Sequence, residues 1–306
     1  MAETMTKDQT ASTGRTADDV RADLEQQRRQ ADQRMRPEVD AQRRQAQQDA
    51  ERTLDEEAIA AIQQTERALV AIAEDRPEEA LRAIEQATGK ISVLLSRNPA
   101  TALIPVNFQV NVIDTAPQTV SDIALLRDAA ETALDLNDLP TTRTLLDSLR
   151  SEIRIRTYHL PLATYPAALQ EAARLLDQKK NDEAGAVLLV ALNTLAIVDQ
   201  IIPLPLLLTR EALSKAQAQV ADKAEAQRLL DIADHELERA MELGYIANNA
   251  DYSALRDQIR DLRKQIKGDE DTTSGFARLK EKLAALARRR SDKDTRTDAQ
   301  QRPKAA

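Results

Sequence analysis

Residues 58–95 read AIAAIQQTERALVAIAEDRPEEALRAIEQATGKISVLL, and this stretch decides the fold. Apolar residues recur at helical spacing on both sides of a polar break, Glu74-Asp75-Arg76-Pro77, whose proline is the residue favoured in the first turn of a helix. Two amphipathic helices joined by so few residues must fold back on each other to bury both apolar stripes. The stretch therefore predicts an antiparallel helical hairpin. The two stripes consist of Ile59, Ile62, Leu69 and Ile72, followed by Leu81, Ile84, Ile91 and Leu95.

The same plan recurs further along the chain. Polar breaks at 137–140, at 180–182 and near Asp222 each separate two apolar helical patterns, and Gly244 is a natural C-cap for the last of these helices. We expect the second hairpin to close with a helix that reaches Ile153, and the third with an all-apolar helix over 184–198 that is buried on all sides. The sequence thus predicts an all-α fold of antiparallel helical hairpins packed into a multi-helix array.

Extended apolar segments with proline follow the first three hairpins, at 103–106 (LIPV), 159–162 (HLPL) and 201–206 (IIPLPL). Proline lacks an N–H group and biases the preceding residue toward extended geometry, so these segments are not expected to be ordinary helix. Because they are apolar, we expect them to pack across the hairpin ends and close the core. Residues 107–113 (NFQVNVI) alternate between polar and apolar and are the one strand-like piece that the pattern indicates.

The two ends of the chain are polar. Residues 1–53 carry almost no apolar stripe and are expected to be disordered at first and then to form a helical arm, which Pro37 interrupts. Residues 54–245 form the predicted helical core domain. Residues 246–306 are predicted to be a helical extension with a polar tail, in which the basic triplet 288–290 either complements a helix dipole or binds an anionic partner.

Composition excludes several classes of protein. The chain has no cysteine, so disulfides, thiolate metal sites and thiol nucleophiles are ruled out. Its net charge of −8 and its aromatic content of only 2% argue against nucleic acid as a partner, which favours basic surfaces and stacking side chains. The longest apolar run, 184–198, is shorter than the span of about 20 residues that a membrane helix needs.

Few residues are candidates for chemistry. His235 is interpreted as lying on the polar face of a helix, whereas His159 could sense pH at the mouth of a proline segment or simply bond to a helix end. Asn193 lies in the most apolar predicted helix, where it could line a cavity or bond back to the helix. We find no motif for a metal, a cofactor or a catalytic nucleophile, and we expect a protein that is not an enzyme. The candidate ligand or partner surface comprises Tyr158, His159, Pro161, Asn193, Pro203 and Pro205.

Six motifs occur over roughly residues 54–225: Ala68-Leu69-x-x-Ile72, Pro77-x-x-Ala80-Leu81-x-x-Ile84, Leu103-Ile104-Pro105-Val106, Tyr158-His159-Leu160-Pro161-Leu162, Ala191-Leu192-Asn193-Thr194-Leu195 and Ile202-Pro203-Leu204-Pro205-Leu206. In this combination the chain resembles the YfdX family of bacterial proteins. That resemblance implies a helical, oligomeric protein associated with bacterial stress responses, including acid stress, and with no established catalytic motif. Some family members look exported; no signal peptide is visible here, so we expect a cytoplasmic protein, with the periplasm as the alternative.

Two functions remain open from the sequence. The first is a non-catalytic stress-response binding protein that holds apolar peptides, unfolded clients or small molecules in grooves between hairpins, near the proline segments. The second is a structural homo-oligomer that assembles through the polar helical arm at about residues 16–53. Neither requires a cofactor, a nucleic acid or a membrane span.

Overall fold

The computed structural model describes residues 37–97, 99 and 101–300, with side chains as far as residue 286. Within these residues the chain forms eleven helices and three strands. In chain order they are α1 (37–53), α2 (Glu56–Ala73), α3 (Pro77–Arg97), β1 (Leu103–Asp114), α4 (Val120–Asp135), α5 (Leu139–Asp147), β2 (Ser151–Pro161), α6 (Tyr165–Asp177), α7 (Asn181–Asn193), β3 (Ala196–Pro203), α8 (Leu204–Ala218), α9 (Lys223–Glu242), α10 (Asn249–Lys267) and α11 (Thr273–Gln300).

The predicted helical hairpins are confirmed. The pairs α2–α3, α4–α5, α6–α7 and α8–α9 each pack against each other across the breaks that the sequence indicates. Local chemistry fixes their ends: Pro77 begins α3, and the Asp222 carboxylate caps α9 by accepting from the backbone N–H of Glu225 at 3.1 Å. Gly244 follows α9 with φ +74°, the left-handed geometry that glycine tolerates best.

The proline segments belong to a small antiparallel sheet of order β1-β2-β3. Our prediction of a single strand-like piece was therefore wrong, because two further segments find partners that lie far away in the sequence. The first two proline segments lie at strand ends, with Leu103 paired to Pro161. In the third, β3 ends at Pro203, and Pro205 lies in the first turn of α8, where a proline is compatible with helix.

Two helix predictions are corrected by this sheet. Helix α5 ends at Asp147, so Ile153 lies in β2 and not in the closing helix of the second hairpin. The apolar run at 184–198 divides: α7 ends at Asn193 and β3 begins at Ala196. Strand β3 is rich in isoleucine and valine, whose branched side chains favour strands, and pairing with β2 satisfies its backbone.

Helix α7 is also not buried on all sides. Its face with Ala184, Gly185 and Leu188 packs into the core, where the glycine allows close approach to Ile72 on α2. The opposite face exposes Leu189 and Val190 to solvent. Along the described ranges, no helix combines the length and the apolar character that a bilayer crossing requires.

Two helical cores flank the sheet. The first joins α2, α3, α6 and α7 to Ile104 and Leu160 of the sheet, and the second joins α8, α9, α10 and α11. The second core includes residues on both sides of position 245, and the division at that position stays a prediction.

Helix α1 covers one face of the sheet. Its Ala46 and Ala50 are buried against Ile155, with Phe108 and Val110 packed beside them; this is the covered face of the sheet. The described part of the predicted N-terminal arm therefore packs onto the sheet of its own chain. Residues 1–36, where the disordered part was predicted, lie outside the described residues.

A buried hydroxyl pair links α2 to α6 in the first core. The Tyr165 hydroxyl donates to Thr65 Oγ1 at 2.8 Å, and the Thr65 hydroxyl donates in turn to the Ala61 carbonyl at 2.9 Å. Burial raises the pKa of Tyr165 to about 12, so the phenol stays neutral and can donate this bond at any physiological pH.

Replacing Tyr165 with phenylalanine should lower the free energy of unfolding by about 1 kcal/mol, because one buried hydrogen bond is lost while the ring still fills its site. Urea unfolding should show a lower midpoint with an unchanged slope. Tyr252→Phe, at a half-buried tyrosine on α10, is the control and should cost less. An unshifted midpoint for Tyr165→Phe would show that the pair adds nothing to stability.

Candidate functional site

The sheet separates the predicted surface residues into two groups. Tyr158 and His159 pair with Ile197 and Ala196 near the start of β3, just after Asn193 ends α7, and Pro161 ends β2 at this same end of the sheet. Pro203 instead pairs with Glu152, which lies about 20 Å from Tyr158 along β2. Pro205 lies two residues after Pro203, in the first turn of α8. The six residues therefore do not line one site.

Asn193 and Thr194 do not line a cavity. Both are exposed at the end of α7, and the Thr194 hydroxyl donates to the Ala191 carbonyl at 3.0 Å. Among the described residues, no cluster of histidine, aspartate or glutamate side chains has an arrangement that could hold a metal ion.

His159 is half-buried in the central strand of the sheet. Burial lowers its pKa, and the backbone groups of Thr157 and Ala196 oppose that shift. Its buried Nδ1 has no hydrogen-bond partner in the described part of the chain. The folded protein therefore favours the neutral imidazole.

Replacing His159 with glutamine should flatten the pH dependence of stability. Because its folded pKa is depressed, His159 contributes stability above its unfolded pKa of about 6.5 and loses that contribution as the pH falls through the folded value. Urea unfolding at about pH 7.5 and pH 5.5 brackets the unfolded value. The loss between the two should be smaller in His159→Gln than in the parent. His235→Gln, which retains His159, is the control; equal losses in His159→Gln and the parent would contradict the assignment.

The two most exposed large apolar side chains of the described residues lie on the α4–α5 hairpin. Leu136 is 76% exposed and Leu125 is 67% exposed. The apolar side chains that α4 buries are one isoleucine, Ile123, and two alanines, Ala130 and Ala133. An amphipathic hairpin normally buries its apolar face against another element. Here the main neighbour of the hairpin is α9, which contacts α4. We call the exposed residues the leucine surface: Leu125, Leu134, Leu136, Leu139 and Leu146.

The tip of this hairpin is a regular turn. Asn137 adopts the left-handed conformation with φ +57°, and the Asp138 carboxylate accepts from the backbone N–H of Thr141 at 3.2 Å. Hydrogen bonds from the Thr141 hydroxyl and backbone hold the pKa of Asp138 below its usual range. The leucines around the turn therefore project from well-formed, capped helices.

The α4–α5 hairpin carries more acidic than basic residues. Between positions 119 and 148 there are six acidic and two basic residues, which gives a net charge of −4. The acidic residues are Asp122, Asp128, Glu131, Asp135, Asp138 and Asp147. The hairpin that carries the leucine surface is thus net negative.

Helix α9 anchors the base of the hairpin through a buried ion pair. Arg239 donates to both carboxylate oxygens of Glu236, at 2.8 and 3.1 Å, and also to the Pro117 carbonyl at 3.2 Å. His235 Nε2 lies 3.1 Å from the Gln118 carbonyl. Burial raises the pKa of Glu236, and the positive charge of Arg239 acts against that shift.

Hydrogen bonds between the ends of β1 and β2 hold the other side of the hairpin base. The backbone N–H groups of Thr115 and Ala116 both donate to the Arg150 carbonyl, at 2.8 and 3.0 Å, and the Thr115 hydroxyl donates to the Asp147 carbonyl at 2.6 Å. Hydrogen bonds therefore hold the hairpin where it leaves the sheet, and the residues at its tip are exposed.

Sequence reasoning missed this site. The sequence pattern predicts that the apolar residues on both sides of the break at 137–140 are buried, and it gives no separate role to the leucines beside the turn. Leu136 and Leu139 were the available signal, since large apolar residues are unusual beside a polar turn. Glu236 and Arg239 are spaced one helical turn apart, and nothing in the sequence pattern indicates that this charged pair is buried.

Arg239→Met should lower the free energy of unfolding by about 3–5 kcal/mol at neutral pH, because it leaves the buried Glu236 carboxylate without its cation. The double variant Glu236→Leu/Arg239→Met removes both charges and should recover most of that loss. Urea unfolding of the three proteins measures both effects. A double variant as unstable as the single one would show that the bond to Pro117, and not charge compensation, is what stabilises the base.

Comparison with known proteins gives one family. The model of the YfdX protein family matches residues 61–201, a range that runs from α2 into β3 and contains the α4–α5 hairpin. A solved structure of Salmonella Typhi YfdX is 15% identical, with 49% of this chain and 92% of that chain covered and a TM-score of 0.34. No curated protein matches the chain.

Proposed function

We propose, from the match of residues 61–201 to the YfdX family model, that this chain is a non-catalytic binding protein that holds apolar segments of other polypeptides. The leucine surface of the α4–α5 hairpin is the binding surface, and the setting is a bacterial stress response, as the family resemblance implies. The observation that carries the proposal is the exposure of five large apolar side chains on a hairpin whose base is fixed. Leu134, Leu136 and Leu139 lie within six residues of each other around the turn, and large apolar side chains exposed together commonly mark an interaction site.

The expected strength of binding follows from the size of the surface. Burying one leucine side chain is worth about 1.5–3 kcal/mol, so the three leucines at the tip supply about 5–9 kcal/mol before the entropy of association is subtracted. Such binding is weak and reversible. This suits a protein that holds unfolded segments and releases them.

The net charge of the α4–α5 hairpin indicates which classes of partner it can bind. Its negative charge disfavours anionic lipid surfaces and nucleic acids and favours neutral or basic apolar segments. The same charge limits self-aggregation through the exposed leucines.

Assembly through the N-terminal arm stays the alternative prediction. In the described part of the arm, Glu38 forms an ion pair with Lys215, and Arg210 donates to Gln42 at 3.2 Å. These contacts, together with the packing of Ala46 and Ala50, lie within one chain. They favour the binding function over arm-mediated assembly.

The triple variant Leu134→Ser/Leu136→Ser/Leu139→Ser tests the proposal. Because these side chains are exposed, the variant should keep its helical circular dichroism and its unfolding midpoint. It should lose most of its ability to suppress aggregation of reduced insulin, and its affinity for an unfolded, neutral apolar peptide should fall by at least about tenfold.

The matched control is Leu189→Ser/Val190→Ser/Ile197→Ser, which removes three side chains of similar exposure, two on α7 and one at the start of β3, where Ile197 pairs with Tyr158. It should retain activity. If the control loses activity while the hairpin variant keeps it, the leucine surface is wrong and the partner surface predicted from sequence gains support. If neither variant binds less well than the parent, the holding function fails.

A further inference from the structure

In the part of the chain that the structure describes, the outer edge of β1 is unpaired along most of its length. In the order β1-β2-β3, β1 bonds to β2 on one side only. The N-terminus of α2 reaches that outer edge at one point, where the Asp55 backbone N–H donates to the Pro105 carbonyl at 3.1 Å. Within the described chain, no backbone group outside the sheet pairs with the rest of this edge, from Asn107 to Asp114.

The hydrogen bond of Phe108 identifies which groups face outward. The Phe108 N–H is held by the Asn107 side-chain oxygen at 2.7 Å, so it does not belong to the ladder with β2. Because backbone direction alternates along an antiparallel strand, the N–H and C=O groups of Val110 and Val112 face the same way. Phe108, Val110 and Val112 thus face outward. The N–H groups of Val110 and Val112 are available for strand pairing, and the Phe108 N–H would first have to exchange its bond to Asn107.

From Asn107 to Ile113 the edge lacks the charged residues and prolines that usually block strand addition, and the register irregularity between Pro105 and Asn107 lies before this stretch. From Leu103 to Ile113 there is no charged residue, whereas protected edges commonly carry lysine, other charges or proline along their length. The sole proline, Pro105, lies where α2 already covers the edge. Asn107, Gln109 and Asn111 form a row of exposed amides, which we call the amide row.

We propose that β1 pairs antiparallel with β1 of a second copy of this chain, which joins two sheets into one of six strands around a two-fold axis. Centred on Val110, the pairing places Val110 opposite itself and Phe108 opposite Val112, with main-chain bonds between these outward-facing residues. Gln109 then lies opposite Asn111 of the second copy.

Self-complementarity favours a second copy as the occupant. A two-fold axis brings each side chain beside its equivalent or a near neighbour, so a charged edge would repel its own copy, whereas amides both donate and accept. On the covered face, Val112 is 38% exposed, and the Phe108 of the second copy would cover it. The alternation of amide and apolar residues along β1 thus matches itself on both faces.

Charge reversal across the axis tests the register. Gln109→Glu/Asn111→Glu and Gln109→Lys/Asn111→Lys should each raise the dimer dissociation constant by at least about tenfold at low salt, since like charges then face each other. An equimolar mixture of the two variants should recover a dimer of mixed composition. Sedimentation velocity with one variant fluorescently labelled distinguishes the mixed dimer from either parent.

Val112→Pro is the second variant. Val112 is exposed and its N–H faces outward, so the proline spares the ladder with β2 and should keep the thermal midpoint within a few degrees while the dimer is lost. A parent chain that sediments as a monomer at about 100 μM, where even weak pairing is populated, would overturn the proposal. So would charge variants that dimerise as tightly as the parent. Binding at the leucine surface is measured separately and does not depend on either outcome.

Discussion

The fold depends on the pairing of one central strand with two others that are remote in sequence. Strand β2 bonds to β1 on one side and to β3 on the other, and each strand leads out of one helical hairpin and into the next element. The amphipathic hairpins have local reasons to form. Their arrangement relative to each other has no such local cause, and the ladder of β2 supplies it. The two helical cores, the cover provided by α1 and the direction of the α4–α5 hairpin all follow from where the strands begin and end.

The helices could be predicted because their causes are local. Helical spacing, the proline at position 77, the aspartate at 222 and the glycine at 244 act within a few residues, and each acts as expected. The sheet could not be predicted in the same way. An apolar run such as 184–198 fits a buried helix or a strand equally well, and the choice is made by a partner strand some 40 positions away.

The candidate site was hidden for a related reason. Periodicity shows that a side chain is apolar and on one face of a helix, but burial depends on whether a third element lies over that face. Leu134 and Leu188 look alike in sequence; α7 packs Leu188 into the first core, whereas no described element lies over Leu134. The six residues chosen from sequence failed to converge because antiparallel pairing sends Tyr158 and Pro203 to opposite ends of the sheet.

The cover that α1 provides has a consequence for work with shortened chains. Ala46, Ala50 and the partly buried Val39 lie against Ile155, Ile153 and their neighbours, so removing residues 1–53 would bare the aliphatic face of a sheet whose edge is already open. Such a chain would be prone to stack face to face as well as edge to edge. Larger particles after truncation would then result from exposure of the isoleucines that α1 covers. Helix α1 would thus protect the sheet from fibre-like association.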